Sequence, residues 1–337
     1  MLEHEESAVK SRGEKDANRS SAPQPERRRS GIAVFLKEMA TNRTLYLMCL
    51  PAIGLFFLIN YLPLFGLVLP FKDYSFEYGI VRSPWIRPLT ANFAYFFRSG
   101  VAWRVTRNTF LYNLSFIVIG NAVAVALAVF LNEVRSKPFV RVAQASYLLP
   151  YFISWIVGGM LLRALLAYEY GVFNQLVVRW GGDRIEWYAW KEAWPAILII
   201  ADSWREGGYR TVLYLAAIAN IDPQLYEVAE IDGAGRWRQI RSITLPSLFP
   251  TVSILALLEV GRIMNADFGK FYALVGENSR LFPTADVIDT YVFRTLRNVG
   301  DIGMAAAPAM YQSVIGFVLI MIVNGYIRKK YPEGSLF

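Results

Sequence analysis

Six stretches of this chain are each apolar over close to the ~20 residues that an α-helix needs to cross the hydrocarbon core of a bilayer. They cover residues 45–70, 110–131, 142–166, 193–219, 251–271 and 303–327 of 337. Inside a bilayer every backbone N–H and C=O must find its partner within the protein, so only helices and closed barrels can span it. Runs of this length select helices, because a spanning strand needs only about ten residues. The expected fold is all-α: a polytopic membrane protein with about six transmembrane helices.

Two of the six stretches carry several charges. The fourth is interrupted by Asp202-Ser-Trp-Arg-Glu-Gly-Gly-Tyr-Arg210, which suggests either a helix broken at Gly207-Gly208 or a span whose limits lie elsewhere. The fifth holds Glu259, Arg262, Asp267 and Lys270. Glu259 and Arg262 are three residues apart, as are Asp267 and Lys270, so each pair is expected to meet on one helix face. Such groups either neutralise each other inside the bundle or line a wet path for solute. Arg163, near the end of the third stretch, has a side chain long enough to snorkel to the interface.

Only 18% of the residues are charged, against about a quarter in soluble domains. The charge is concentrated in residues 1–40, which lack apolar periodicity and are expected to form a disordered cytoplasmic tail. Residues 41–337 then form the membrane domain. The run Arg27-Arg28-Arg29 holds the N-terminus inside. The one cysteine, Cys49, lies in an apolar stretch and the one histidine, His4, in the tail. No intrachain disulfide, His/Cys metal cluster or Ser-His-Asp triad can be built in the body. A site made of carboxylates alone stays open.

The net charge of +8 forms no basic stripe of the kind that binds nucleic acid; basic residues flanking spans account for it. With the N-terminus inside, the cytoplasmic pieces hold 14 Lys and Arg in 69 residues and the opposite loops 12 in 96. That density favours both termini in the cytoplasm. Aromatic residues at span ends, such as Trp85, Trp103, Trp187, Tyr188 and Trp190, are suited to headgroup depth. The loop 71–109 is long enough to hold short elements of its own.

The most informative segment is polar and lies at 221–248, between the fourth and fifth stretches. Asp222 followed by Pro223 is a helix start. Leu225, Val228, Ala229 and Ile231 follow at helical spacing, Gly233 and Gly235 permit a turn, and a second helix is expected to stop near Pro246. The pattern is Glu227-Val228-Ala229, three residues, Gly233, nine residues (Ala234–Ser242), then Ile243-x-Leu245-Pro246. It resembles the "EAA" loop of permeases of ATP-binding-cassette (ABC) importers, and Asp232 and Ala234 also fit. Val228 stands where that family usually has alanine.

The stretches "LPAIGLFFLINYLPLFGLVLPFKDYSF", "ANFAYFF", "RNTFLYN" and "DVIDTYVFRTL" extend the likeness over most of the body. The chain is similar to type I permeases for oligosaccharides, in particular those of complex polysaccharides such as alginate. The resemblance implies four kinds of partner: a second, related permease, two ATP-binding subunits, an external solute-binding protein and a saccharide, acidic saccharides included. It also implies that Glu227, Ala229, Asp232, Gly233, Ile243, Leu245 and Pro246 dock on an ATPase as a lever. The chain has no G-x-x-x-x-G-K-[ST] phosphate loop, so ATP and Mg²⁺ would belong to other chains.

Sugar rings stack their C–H faces on aromatic rings and hydrogen-bond through their hydroxyls. Trp155, Tyr209, Asn265, Asp267, Lys270 and Tyr311 are the candidates for such a path, and each also reads as ordinary packing. Basic groups in the spans would favour an acidic saccharide. Two other functions fit a charged helical bundle: a self-sufficient transporter driven by an ion gradient, and a membrane enzyme using Asp or Glu. The first leaves the glycine motif without a purpose; the second needs clustered acids where the sequence shows charge pairs.

Overall fold

A computed structural model describes residues 41–330, so the tail expected at 1–40 lies outside the described residues. The chain divides into one unit ending at Phe65 and a second beginning at Gly66. In the first, α1 (Arg43–Asn60) carries Pro51 inside and leads into a 3₁₀ segment, Leu62–Phe71. Together they are long and apolar enough for one crossing.

In the second unit the described residues form helices joined by short turns. These are α2 (Ala91–Arg98), α3 (Val101–Glu133), α4 (Lys137–Leu148), α5 (Trp155–Leu166), α6 (Val172–Arg179) and α7 (Trp194–Ala219). After them come α8 (Pro223–Ile231), the single turn α9 (Arg236–Gln239), α10 (Leu245–Val260), α11 (Phe268–Val275), α12 (Ile288–Val299) and α13 (Ile302–Lys330). By length and composition, four helices of the described residues could cross a membrane, or five if a bent pair counts as one. α7 is long enough, but Asp202, Arg205, Glu206 and Arg210 keep it outside that group.

The loop 71–109 does contain elements of its own. A turn of helix at Gly79–Arg82 is folded over Lys72, whose Nζ donates to the carbonyls of Val81 and Ser83 and lies 4.7 Å from the Trp85 ring centre. α2 follows, fixed by Asn92 donating to Pro70 O.

Three expectations about the spans need correction. The third is two helices bent by 104°. Pro150 ends α4 in a 3₁₀ turn, Ile153 is extended, and the Ser154 hydroxyl caps α5 by accepting from Val157 N. The fourth is unbroken. Gly207 and Gly208 serve close packing instead: a Cβ on Gly208 would lie 2.2 Å from Tyr147 O, and one on Gly207 2.5 Å from Tyr147 Oη.

The fifth begins earlier and ends earlier than its apolar pattern suggests. Pro246 does not stop the helix. A π-helical turn, Ile240–Thr244, widens the ladder just before it, and Leu245 N donates to Ile240 O. That widening accommodates a ring that would otherwise press on the carbonyl four residues back. One helical rod thus runs from Arg236 to Val260. It ends at Gly261, and Asp267 starts α11 by capping Lys270 N at 3.1 Å.

The core follows small residues. Ala124 and Ala128 are fully buried on α3, where α7 packs with Tyr214 and α10 with Leu248. A second cluster joins Tyr112 and Phe116 of α3 to Trp194 and Leu198 of α7 and to Phe271 of α11. Without a hydrophobic drive between helices in lipid, close approach at such positions supplies the packing energy.

Because the Gly208 contact is with backbone, it has no flexible side chain to yield. Gly208→Ala is expected to cost on the order of 1–3 kcal/mol. That cost is read as a lowered thermal unfolding midpoint of the detergent-solubilised protein, with Gly325→Ala, which meets open space, as the control.

Candidate functional site

Four charges of the fourth and fifth stretches pair across helices. Lys270 of α11, buried, donates to Asp202 Oδ1 of α7 and lies 3.9 Å from the Phe116 ring centre. The other Asp202 oxygen is 3.5 Å from Arg210 Nη1. Arg210 forks onto Glu259 at the end of α10, through Nε at 3.0 Å and Nη2 at 2.9 Å. Glu259 Oε2 accepts from Asn121 of α3 at 2.9 Å, and Asn121 Oδ1 accepts from the Tyr214 hydroxyl. Two cations and two anions form a neutral chain through α11, α7, α10 and α3. The expected ion pairs Glu259–Arg262 and Asp267–Lys270 do not form: the helix of Glu259 ends before Arg262, while Asp267 caps Lys270 N and meets Trp155, leaving Lys270 Nζ to Asp202.

Gly120 makes room for this chain of charges. A Cβ there would fall 2.2 Å from Arg210 Nη1. Gly120 and Asn121 were not picked out from the sequence; their only signal is a Gly-Asn step inside an apolar run. Asp202, Arg210 and Glu259 were visible as span charges, but their partners lie on other helices.

Of the six path candidates, three come together. Trp155 opens α5, and its Nε1 donates to Asp267 Oδ2 at 2.9 Å. Lys270 lies 5.4 Å from the Trp155 ring centre, and the Arg205 guanidinium stacks at 4.5 Å. Arg205 pairs with Glu206 and donates to Ile153 O at 2.7 Å, satisfying a carbonyl freed by the break between α4 and α5. Tyr209 adjoins this group, exposed and stacked on Tyr151 at 4.9 Å. Counted together, Lys270, Arg205 and Arg210 face Asp202, Asp267, Glu206 and Glu259. The basic excess expected in the spans is therefore absent from this group.

The other two candidates sit elsewhere. Asn265 accepts from Gln312 of α13 at 3.2 Å, in a junction where Gln312 also donates to Met264 O and Asp289. The Tyr311 hydroxyl is 3.1 Å from Thr106 Oγ1, and its ring packs against Phe96 and Phe97.

The segment 221–248 forms a knob beyond the C-terminal end of α7. Asp222 caps α8 by accepting from Gln224 N at 2.9 Å, Pro223 occupies the first turn, and Gly233 takes a left-handed φ of +72°. Glu227 and Asp232 are exposed and Ala229 is half-buried on α8. Ile243 is half-buried in the π turn, with Leu245 and Pro246 exposed after it. Val228 and Leu225 are exposed too, and Ile231 and Trp237 are 85% and 83% exposed. Tyr226 Oη, 2.9 Å from Thr244 Oγ1, holds α8 against the start of the rod.

Residues 120–330 match the family described as the inner membrane component of binding-protein-dependent transport systems. The polygalacturonan/rhamnogalacturonan transport system permease protein YteP of Bacillus subtilis (strain 168) is 33% identical over 300 residues, covering 89% of this chain and 92% of that one. A crystal structure of a bacterial ABC transporter involved in import of the acidic polysaccharide alginate contains a chain with TM-score 0.79 and 32% identity. The match covers 88% of this chain and 98% of that chain. A second structure, of the bacterial alginate ABC transporter with an alginate pentasaccharide-bound periplasmic protein, matches with TM-score 0.77 and 31% identity, over 87% and 96% of the two chains.

Removing one partner from a buried ion pair leaves a charge uncompensated, at about 3–5 kcal/mol. Asp202→Asn is expected to destabilise the solubilised protein strongly. Asp202→Asn with Lys270→Met should recover much of that loss, as a double-mutant cycle of unfolding midpoints would show.

Proposed function

We infer the role of this chain from its family: it belongs to the inner membrane components of binding-protein-dependent transport systems. It is the permease subunit of an ABC importer for saccharides, a multi-pass protein of the inner membrane. The reading proposed beyond this is that the solute is an acidic oligosaccharide, passed along a path at Trp155, Tyr209, Asp267 and Lys270. Asn265 and Tyr311, held in separate contacts with Gln312 and Thr106, stand apart from that group. The two relatives described above that handle polygalacturonan and alginate support an acidic solute.

The observation that carries the coupling half of the proposal is the knob. Leu225, Val228, Ile231 and Trp237 expose apolar surface on a polar, folded projection, and such a patch calls for a protein partner. The knob leads through Gly233 and Gly235 into a helical rod of 25 residues, Arg236–Val260, whose far end carries Glu259. A partner that moves α8 therefore moves a lever reaching the charged network. In this reading Glu227, Ala229, Asp232 and Gly233 seat the knob on a separate ATP-hydrolysing subunit, while Ile243, Leu245 and Pro246 set the root of the rod. ATP and Mg²⁺ bind that subunit, not this chain. A second permease, two ATP-binding subunits and an external solute-binding protein complete the assembly, with both termini of this chain in the cytoplasm.

Affinity purification of the tagged chain from its native membrane tests the assembly: an ATP-binding protein and a second permease should co-purify. Recovery of the chain alone, still transporting without ATP, would overturn the proposal. Gly233→Pro forces φ to about −65° where the bend needs a positive angle. It and Glu227→Lys are expected to reduce saccharide-stimulated ATP hydrolysis to the unstimulated rate, with the unfolding midpoint of the membrane body unchanged.

A further inference from the structure

A recess separate from the charged network opens at the C-terminal end of α5. Its volume is about 640 Å³, within the range of about 300–1,000 Å³ usual for ligand pockets. Arg163, Tyr170, Tyr188, Glu277 and Asn278 are among its walls, and a smaller recess of about 250 Å³ adjoins it, sharing Tyr188 and Asn278. The recess lies at the opposite end of α7 from the knob. Tyr188 packs on Trp194, the first residue of that helix, at 5.0 Å, whereas the knob follows Ala219. At 1.5 Å per residue, α7 separates the two by roughly 39 Å. If the knob faces the ATPases, the recess faces the side from which solute arrives.

Two features of its wall are unfinished. The Tyr188 hydroxyl is buried and has no hydrogen-bond partner among the described residues. Burial raises its pKa, an effect that Arg163 partly opposes, so at neutral pH the hydroxyl keeps its proton and is a donor. Arg163 is exposed, stands 6.0 Å from the Tyr188 ring centre, and forms no ion pair among the described residues. The acid in the recess wall, Glu277, pairs with Arg297 at 2.9 Å, and Glu186 of the smaller recess with Arg280 at 3.6 Å. Asn278 is fixed too, donating to Tyr188 O at 2.7 Å and accepting from Arg280 N. A free guanidinium, an orphan hydroxyl and the ring of Tyr170 therefore surround one recess.

We propose that this recess is an entry subsite for an acidic saccharide, in which Arg163 takes the carboxylate of a uronic acid unit. Tyr188 Oη hydrogen-bonds a sugar hydroxyl, and Tyr170 offers a ring to its C–H face. The guanidinium is planar and matches a carboxylate with two parallel hydrogen bonds. The Tyr188 hydroxyl is buried, so its engagement requires the side chains around it to shift on binding. The inference rests on the import of acidic saccharide proposed above and deepens it. It also answers a difficulty, because the central group of charges offers no basic excess to an anion.

The test uses the complete assembly in lipid nanodiscs, with short oligogalacturonates and their methyl esters as probes. Equilibrium dialysis measures binding, and ATP hydrolysis with the solute-binding protein present measures stimulation. Arg163→Gln is expected to weaken binding of the acid roughly 10- to 100-fold and to leave the neutral ester as in the unaltered assembly. Tyr188→Phe is expected to weaken acid and ester alike, about 3- to 10-fold, without lowering the unfolding midpoint, since it removes an unsatisfied group. Equal losses for acid and ester in Arg163→Gln, or none for either, would overturn the subsite and leave the import reading intact. Acid binding lost in Arg163→Gln, with no stimulation in the unaltered assembly, would support the subsite and overturn that reading. No binding of either probe would overturn the subsite.

Discussion

The membrane body is organised by the requirement that charge buried away from water be matched. Lys270 and Asp202 are both buried, and each meets the other across two helices. Their pairing fixes α11 against α7. The pairing of Arg210 with Glu259 fixes α7 against the end of α10, and Asn121 adds α3. Apolar contact alone would let these helices slide past one another in lipid, where neighbouring helices and acyl chains are equally apolar. The ion pairs give the bundle a register. The same logic explains Gly120, whose missing side chain is the space the Arg210 guanidinium fills.

Breaks in the helices follow from the same accounting of polar groups. A carbonyl freed at Ile153 would be costly in hydrocarbon, and Arg205 satisfies it. Ser154 and Asp267 cap the helices that resume after the two breaks. Both caps lie near Trp155, whose indole N–H reaches Asp267. Two helix starts, an aromatic ring and several charges therefore converge where two would-be spans fail to cross in one piece. Irregular backbone at such depth is tolerated only against protein or a water-filled cavity.

Much of this was legible in the sequence where the signal is local. The Asp222-Pro223 cap, the bend at Gly233 and the polar character of 221–248 depend on residues close in the chain, and the structure has each of them. The apolar runs also revealed the helices, since composition decides them. Partnerships between helices were not legible. Spacing of three suggests Glu259–Arg262 and Asp267–Lys270, but the first helix ends at Gly261, and in the second pair the Asp267 side chain is taken by its cap and by Trp155. Gly207-Gly208 suggests a break, or a span with other limits, for a similar reason. A glycine pair shows that something comes close, and only the fold reveals that Tyr147 and Leu148 do. Pro246 misled because its effect depends on the π turn before it, which leaves no mark in composition.

The rod from Arg236 to Val260 makes the knob and the charged network mechanically dependent. Its bend, Gly233, meets no side chain and so can rotate, while its other end is fastened through Glu259 to Arg210. In the coupling proposed above, a displacement at the knob that is not taken up at the π turn or at Pro250 travels along the rod. It must either carry α7 along through Arg210 or separate the Arg210–Glu259 pair. Separation would strand two charges at bilayer depth, so the favourable response is for α7 to follow. Asp202 is on α7 and holds Lys270, so α11 and the Asp267–Trp155 contact then move as well. A neutral chain of alternating charges suits this purpose because each link is costly to break alone, whereas the whole set can shift without exposing net charge.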